Sequence, residues 1–264
     1  SGCETEEASI DLELNDRLRS VSHPEVYRRF LRTLEFRLQR SLESTGSAQR
    51  PDGAYESLSE FRADLELLRQ SLLANRGRRS SDQFLQPWID LADTFGFHFA
   101  CLDVRQNSEV HRRCLQEIMA LQNDGQDQSG NAQIADRLKQ TPPSRIDADR
   151  LSEQSREVLD TFTLLVDEYK LWGMEPIGGY IISMTHSAVD VLTALWLWQT
   201  AWAQQGETVD SVPELPIIPL FETIDDLRNA PVILDELLSH PDYQQYLAKQ
   251  AQQHQMVMVG YSDS

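Results

Sequence analysis

The sequence predicts a helix-rich α/β fold in which parallel strands with helical crossovers follow an all-helical region. Three observations carry this reading. Apolar residues recur at helical spacing through the first third of the chain. After Gly96, short apolar runs alternate with amphipathic stretches, and that order requires crossover connections and hence parallel strands. Each of the four apolar runs then ends in polar residues: Arg105-Gln106, Ser183 with Thr185, Glu222-Thr223, and Ser262-Asp263. The predicted division is a helical region over 1–95 and a strand–helix region over 96–264.

The elements follow in order. Residues 1–16 carry six acids and no base and predict a frayed lead-in. Ser22 and Glu25 have capping-box spacing, ahead of a stripe of Tyr27, Phe30, Leu31, Leu34, Leu38 and Leu42. Gly46, Pro51 and Gly53 mark a loop. Phe61, Leu65, Leu68 and Leu72 form a second helical face, and Leu85, Trp88, Leu91, Ala92 and Phe95 a third. Phe97–Arg105 reads as the first strand, with a helix from about Ser108 to Leu121. Residues 123–152 form a polar excursion with a short helix near Ile134–Leu138. Val158, Leu159, Phe162, Leu165, Val166 and Tyr169 mark the next helix. Tyr180–Met184 is an apolar strand and Ala188–Ala203 a helix apolar on most sides, hence buried. Ile217–Glu222 is the third strand, capped into a helix at Thr223–Asp226, with breaks expected at Pro231 and Pro241. Met256–Tyr261 is the fourth strand.

Composition narrows the function. The 264 residues hold 24 basic and 42 acidic side chains, a net charge of −18, which argues against general nucleic-acid binding. A small anionic substrate stays open, because three of the basic residues are lysine and the rest are arginine, the better fork for carboxylate or phosphate. Cys3, Cys101 and Cys114 show no CxxC spacing, which predicts free thiols in a reducing cytoplasm. The apolar run around Val189–Trp198 is interrupted by Asp190 and Thr193 and is too short to span a bilayer, so no membrane role is expected. Ser1-Gly2 in place of an initiating Met reads as a processed or trimmed start.

In parallel α/β folds the ligand lies beyond the carboxyl ends of the strands. The four strand ends thus aim one cation, Arg105, and two carboxylates, Glu222 and Asp263, toward one end. Each also has a plainer reading: Glu222 favouring a helix N-terminus, Asp263 capping a following helix, Arg105 in a structural ion pair. His98, His111 and His186 read as hydrogen-bonded structural histidines, Trp196, Trp198 and Trp202 as packing, and Arg76–Arg79 as a solvated loop. Four strands are too few to close a barrel, and the last has no covering helix, so the chain reads as part of something longer that self-associates through open edges.

Five segments, in order and spacing, resemble the phosphoenolpyruvate carboxylase family. They are Phe95-Gly-Phe with Leu102–Ser108 and His111, Ser155–Asp160, Tyr180–Met184 with Asp190-Val-Leu192, Pro219–Ala230, and Gln255–Ser264. The resemblance is specific over 96–264 and looser over the helical third. It implies about half of a (β/α)8-type barrel. It also implies a parent enzyme that carboxylates phosphoenolpyruvate with bicarbonate, giving oxaloacetate and phosphate, with Mg2+ or Mn2+ as cofactor and a homotetrameric assembly. By the same resemblance Glu222 and Asp263 match the two metal carboxylates, and Arg105 matches the arginine on the substrate phosphate. The family's upstream histidine, its lysine after the last segment and its downstream arginines have no counterpart, so the isolated chain is expected to be inactive. Asn107, Val110 and Val189 stand where the family has Glu, often Arg, and Ser. Two other readings are kept: a different Mg2+-dependent barrel enzyme acting on phosphoenolpyruvate or pyruvate, and a non-catalytic helical interaction module or degenerate paralogue.

Overall fold

A computed structural model describes residues 13–43, 50–122, 134, 138, 140–249 and 254–260. The chain clusters into two compact units, residues 1–100 and 101–264.

The first unit is helical: a stretch over 13–19, α1 (Val26–Glu43), α2 (Leu58–Ala74) and α3 (Gln86–Phe95). A helical turn, Arg78–Ser80, and a π-helical turn, Ser81–Leu85, lead into α3. Ser57 caps α2 by accepting the Glu60 N–H. Leu34, Tyr55, Leu58, Phe61, Leu65, Leu68, Leu85 and Ala92 form its core. The Arg37 guanidinium lies 3.9 Å from the Tyr55 ring centroid and pairs with Glu60 and Asp64.

The second unit is an open sheet of four parallel strands in the order β1-β2-β3-β4. These are Leu102–Asn107, Ile177–Ser183, Ile217–Phe221 and Met258–Val259. The register pairs Arg105 with Ile181, Tyr180 with Ile217, and Phe221 with Val259. The crossovers carry α4 (Ser108–Gln122), α5 (Glu153–Trp172), α6 (Ala188–Gln204), α7 (Ile224–Ser239) and α8 (Pro241–Ala248). This is the architecture of half of a (β/α)8-type barrel.

Burial follows from the apolar pattern. Tyr180, Ile182 and Ile217 face the helices and join the main core, while Ile181, Ile218 and Leu220 form a second cluster with Met258. Burial of alternate residues in two separate clusters explains why β2 and β3 read as unbroken apolar runs. Fourteen of the seventeen residues of α6 are buried. Trp196, Trp198 and Trp202 pack as expected, and the Trp198 indole N–H donates to the Pro213 carbonyl at 2.9 Å.

Several elements differ from expectation. Ser22 does not cap α1: its carbonyl closes a turn onto the Glu25 N–H, and Glu25 pairs forward with Arg28. The stripe on α1 divides, with Leu34 buried and Leu31 and Leu42 exposed. On the third helical face Leu85 and Ala92 are buried, whereas Trp88, Leu91 and Phe95 are exposed. A core one helix wide covers half of so broad a stripe. β1 begins at Leu102, five residues after Phe97, because Gly96 and Phe99 adopt left-handed φ of 58° and 65° and Phe97 packs on Tyr55 and Phe61. Arg78 and Arg79 lie in a helical turn, and only the preceding Arg76 is left-handed. Pro231 does not break α7; buried Ile233 and Leu237 hold the half beyond it on the core, and the break falls at His240. Ile134 and Leu138 are helical, but half of that excursion lies outside the described residues; of the lead-in over 1–16, residues 1–12 lie outside them too, and 13–16 are helical rather than frayed.

Candidate functional site at the carboxyl ends of the strands

Glu222 follows the last residue of β3 and immediately precedes the cap of α7. Thr223 Oγ1 accepts the Asp226 N–H, and Asp226 Oδ2 accepts the Thr223 N–H, both at 3.1 Å. This reciprocal box fixes the chain direction at the strand end. The Glu222 side chain is 9% exposed, and both of its oxygens are engaged. Arg105, from β1, donates from a guanidinium nitrogen to Oε1 at 2.5 Å, and the backbone N–H of Met184, just past β2, donates to Oε2 at 3.0 Å. Arg105 is itself 53% exposed, so its outer face is open to solvent.

A second set of bonds holds the loop between β2 and α6. Asp190, 2% exposed, accepts the His186 and Ser187 N–H groups and the Ser187 hydroxyl through one oxygen, and Arg112 of α4 through the other. His186 Nδ1 lies 2.7 Å from Asp226 Oδ1. Burial pushes the Asp226 carboxyl up, but hydrogen bonds from Thr223 and His186 outweigh it and hold the group below the usual carboxylate range. His111 is fully buried with Nε2 2.8 Å from the Tyr180 hydroxyl, and burial pushes its ring down to about 4 although Asp190 opposes this. The structural readings of His111 and His186 therefore hold.

The structure brings Arg105 and Glu222 together. Asp263 lies outside the described residues. Among the described residues, the Gly260 N–H donates to the Phe221 carbonyl at 2.9 Å. A Cβ on Gly260 would stand 3.1 Å from Glu222 Cα, a contact so tight that a larger residue would push the backbone at Glu222 by a few tenths of an ångström. The sequence reading missed Ser108, Met184 and the His186–Asp226 pair. The capping pattern at Thr223–Asp226 was visible, but which loop it would meet depends on strand order.

Glu222 offers carboxylate oxygen, and among the described residues no group of three or more His, Cys, Asp or Glu gathers into a metal cage. Mg2+ and Mn2+ are commonly held by one or two carboxylates with water and substrate oxygens.

A buried carboxylate and an exposed arginine thus stand at the carboxyl ends of an open parallel sheet, the place where α/β folds of this kind bind ligands. The sequence profile described as phosphoenolpyruvate carboxylase matches residues 3–264. Similar proteins named phosphoenolpyruvate carboxylase include those of Xanthomonas euvesicatoria (37% identical, 90% of this chain), Ralstonia nicotianae (35%, 91%) and Rhodothermus marinus (32%, 94%). The alignments cover 25%, 26% and 28% of those proteins, so the chain spans about a quarter of their length. The chain belongs to the phosphoenolpyruvate carboxylase family.

Proposed function

We propose that this chain supplies the metal-holding and phosphate-holding corner of a phosphoenolpyruvate carboxylase, which joins phosphoenolpyruvate and bicarbonate to give oxaloacetate and phosphate. The observation that carries the reading is the meeting of Arg105 and Glu222 at the carboxyl ends of β1 and β3. Glu222 and Asp263 would hold Mg2+ or Mn2+, and Arg105 would turn its planar fork to the substrate phosphate. The bound metal would neutralise charge on phosphoryl and carboxylate oxygens of the substrate. Glu222 accepts two hydrogen bonds, and the half-exposed Arg105 offers positive charge at the strand ends.

The setting fits the same proposal. Cys114 is a buried thiol outside any disulfide, in keeping with a cytoplasmic protein, and among the described residues no helix is long and apolar enough to cross a membrane. β1 and β4 stand at the sheet edges, which supports self-association of the isolated chain and belongs with the homotetramer proposed for the parent. Carboxylation is assigned to the complete protein, and the chain alone is expected to show negligible turnover. The test is oxaloacetate formation and Mn2+ binding by the complete protein and its Glu222→Ala variant. Loss of both supports the reading; unchanged Mn2+ affinity in the variant overturns it.

A further inference from the structure

We propose that Ser108 and Met184 form a positioning pair that aims the Glu222 carboxylate. This rests on the reading of Glu222 as a metal ligand and adds what holds that ligand in place.

Of the two partners of Glu222, the Arg105 guanidinium sits on a long, half-exposed side chain. The Met184 N–H is a backbone donor and sets the direction of Oε2. Met184 occupies that position only by adopting a left-handed φ of 54°. A residue with a Cβ pays a steric penalty there and stays only where its surroundings over-determine it. Three bonds do so. Ser108 Oγ–H donates to the Met184 carbonyl at 2.6 Å, Thr185 Oγ1–H donates to the Ile182 carbonyl at 2.8 Å, and the Thr185 N–H reaches the Leu220 carbonyl at 3.4 Å. Ser108 opens α4 directly after β1 and is buried.

One hydrogen-bonded chain therefore crosses three strand ends: Ser108 after β1, Met184 after β2, Glu222 after β3. The hydroxyl holds the carbonyl side of the residue whose amide side holds the carboxylate. With the hydroxyl removed, Met184 can relax out of the left-handed region, its N–H swings away, and Glu222 gains rotamers that a cation must freeze again. Freezing one such side chain corresponds to about a two- to ten-fold loss in affinity.

The experiment is Mn2+ binding without substrate, by electron paramagnetic resonance titration of the complete protein, well below its melting temperature. Ser108→Ala should weaken Mn2+ binding about five-fold. Ser108→Cys keeps the volume with a poor donor and should weaken it similarly, which guards against a folding defect in the alanine variant. Ser108→Thr restores a hydroxyl and should bind within two-fold of the parent. A merely structural serine would shift melting temperature and leave the Mn2+ dissociation constant of the folded protein unmoved. Glu222→Gln serves as the reference. If it loses Mn2+ while Ser108→Ala and Ser108→Cys bind as the parent does, the positioning role is overturned and the site reading stands. If Glu222→Gln itself binds Mn2+ as the parent does, the site reading falls.

Discussion

Acid should weaken this fold through His111, and the size of the effect follows from its surroundings. The ring is fully buried beside Phe162 and Tyr180, and its Nδ1 has no hydrogen-bond partner among the described residues. Burial lowers its pKa from 6.5 to about 4, against the opposing pull of Asp190. The folded value lies below the unfolded one, so the unfolded chain takes up the proton first. Stability is therefore whole above pH 6.5, declines as pH falls through 6.5, and the loss is complete below about 4. At pH 5 the unfolded histidine is almost fully protonated and the folded one scarcely so, a loss of about 2 kcal/mol, reaching about 3 kcal/mol below pH 4. The assay is urea unfolding at pH 7.5 and pH 5.0, followed by tryptophan fluorescence. Four of the five tryptophans lie in the second unit, so the signal reports mainly on the unit that holds His111. The control is His111→Gln, which keeps a polar partner for Tyr180 and does not titrate. Other carboxylates affect both proteins alike and cancel in the difference. The parent should lose about 2 kcal/mol more than the variant across this window. Equal losses in the two proteins would refute the assignment of a neutral, buried His111.

Two further outcomes are expected. Asp190→Ala removes a helix cap and one member of an ion pair whose carboxylate is 2% exposed, and should cost about 3 kcal/mol in the same urea titration. A loss under about 1 kcal/mol would show that Arg112 and the 186–187 backbone find water at no penalty. Gly260→Ala sets a methyl 3.1 Å from Glu222 Cα, against backbone that cannot yield as a side chain tip can. Mn2+ affinity of the complete protein should fall several-fold with a modest drop in melting temperature, and unchanged affinity would show that β4 does not bear on Glu222.

Much of the fold was legible because its signals are local. The apolar runs at Tyr180–Ile182 and Ile217–Phe221 admit little but buried parallel strands, and the pattern at Thr223–Asp226 is a complete local instruction for starting a helix. The misplaced start of β1 has the opposite origin. Phe97 and Phe99 carry strand-forming side chains, but two left-handed residues and the pull of Tyr55 and Phe61 outweigh propensity there. Of the site, Arg105 and Glu222 were visible because a charge stands where an apolar run stops. Met184 was not, because a methionine ending a strand carries no mark of a left-handed φ. Its role exists only once β1 and β3 flank it.

The three departures from the family pattern can be weighed by what each side chain now does. Asn107 lacks the carboxylate of the family's Glu, yet its Oδ1 accepts the Glu109 N–H at 2.9 Å and so helps start α4. Val110 is partly buried and packs against the main core. Val189 gives up a hydroxyl in the first turn of α6, where the cap is already carried by Ser187 and Asp190. None of the three bonds to Arg105, Met184 or Glu222. A chain drifting away from its chemistry would be free to lose a left-handed methionine, a buried serine and a close-packed glycine, because each constrains the backbone. Here all three stand around one carboxylate while the departures fall where helix starts and packing absorb them. The Mn2+ titration of Glu222→Gln decides between a working strand-end site and a degenerate one.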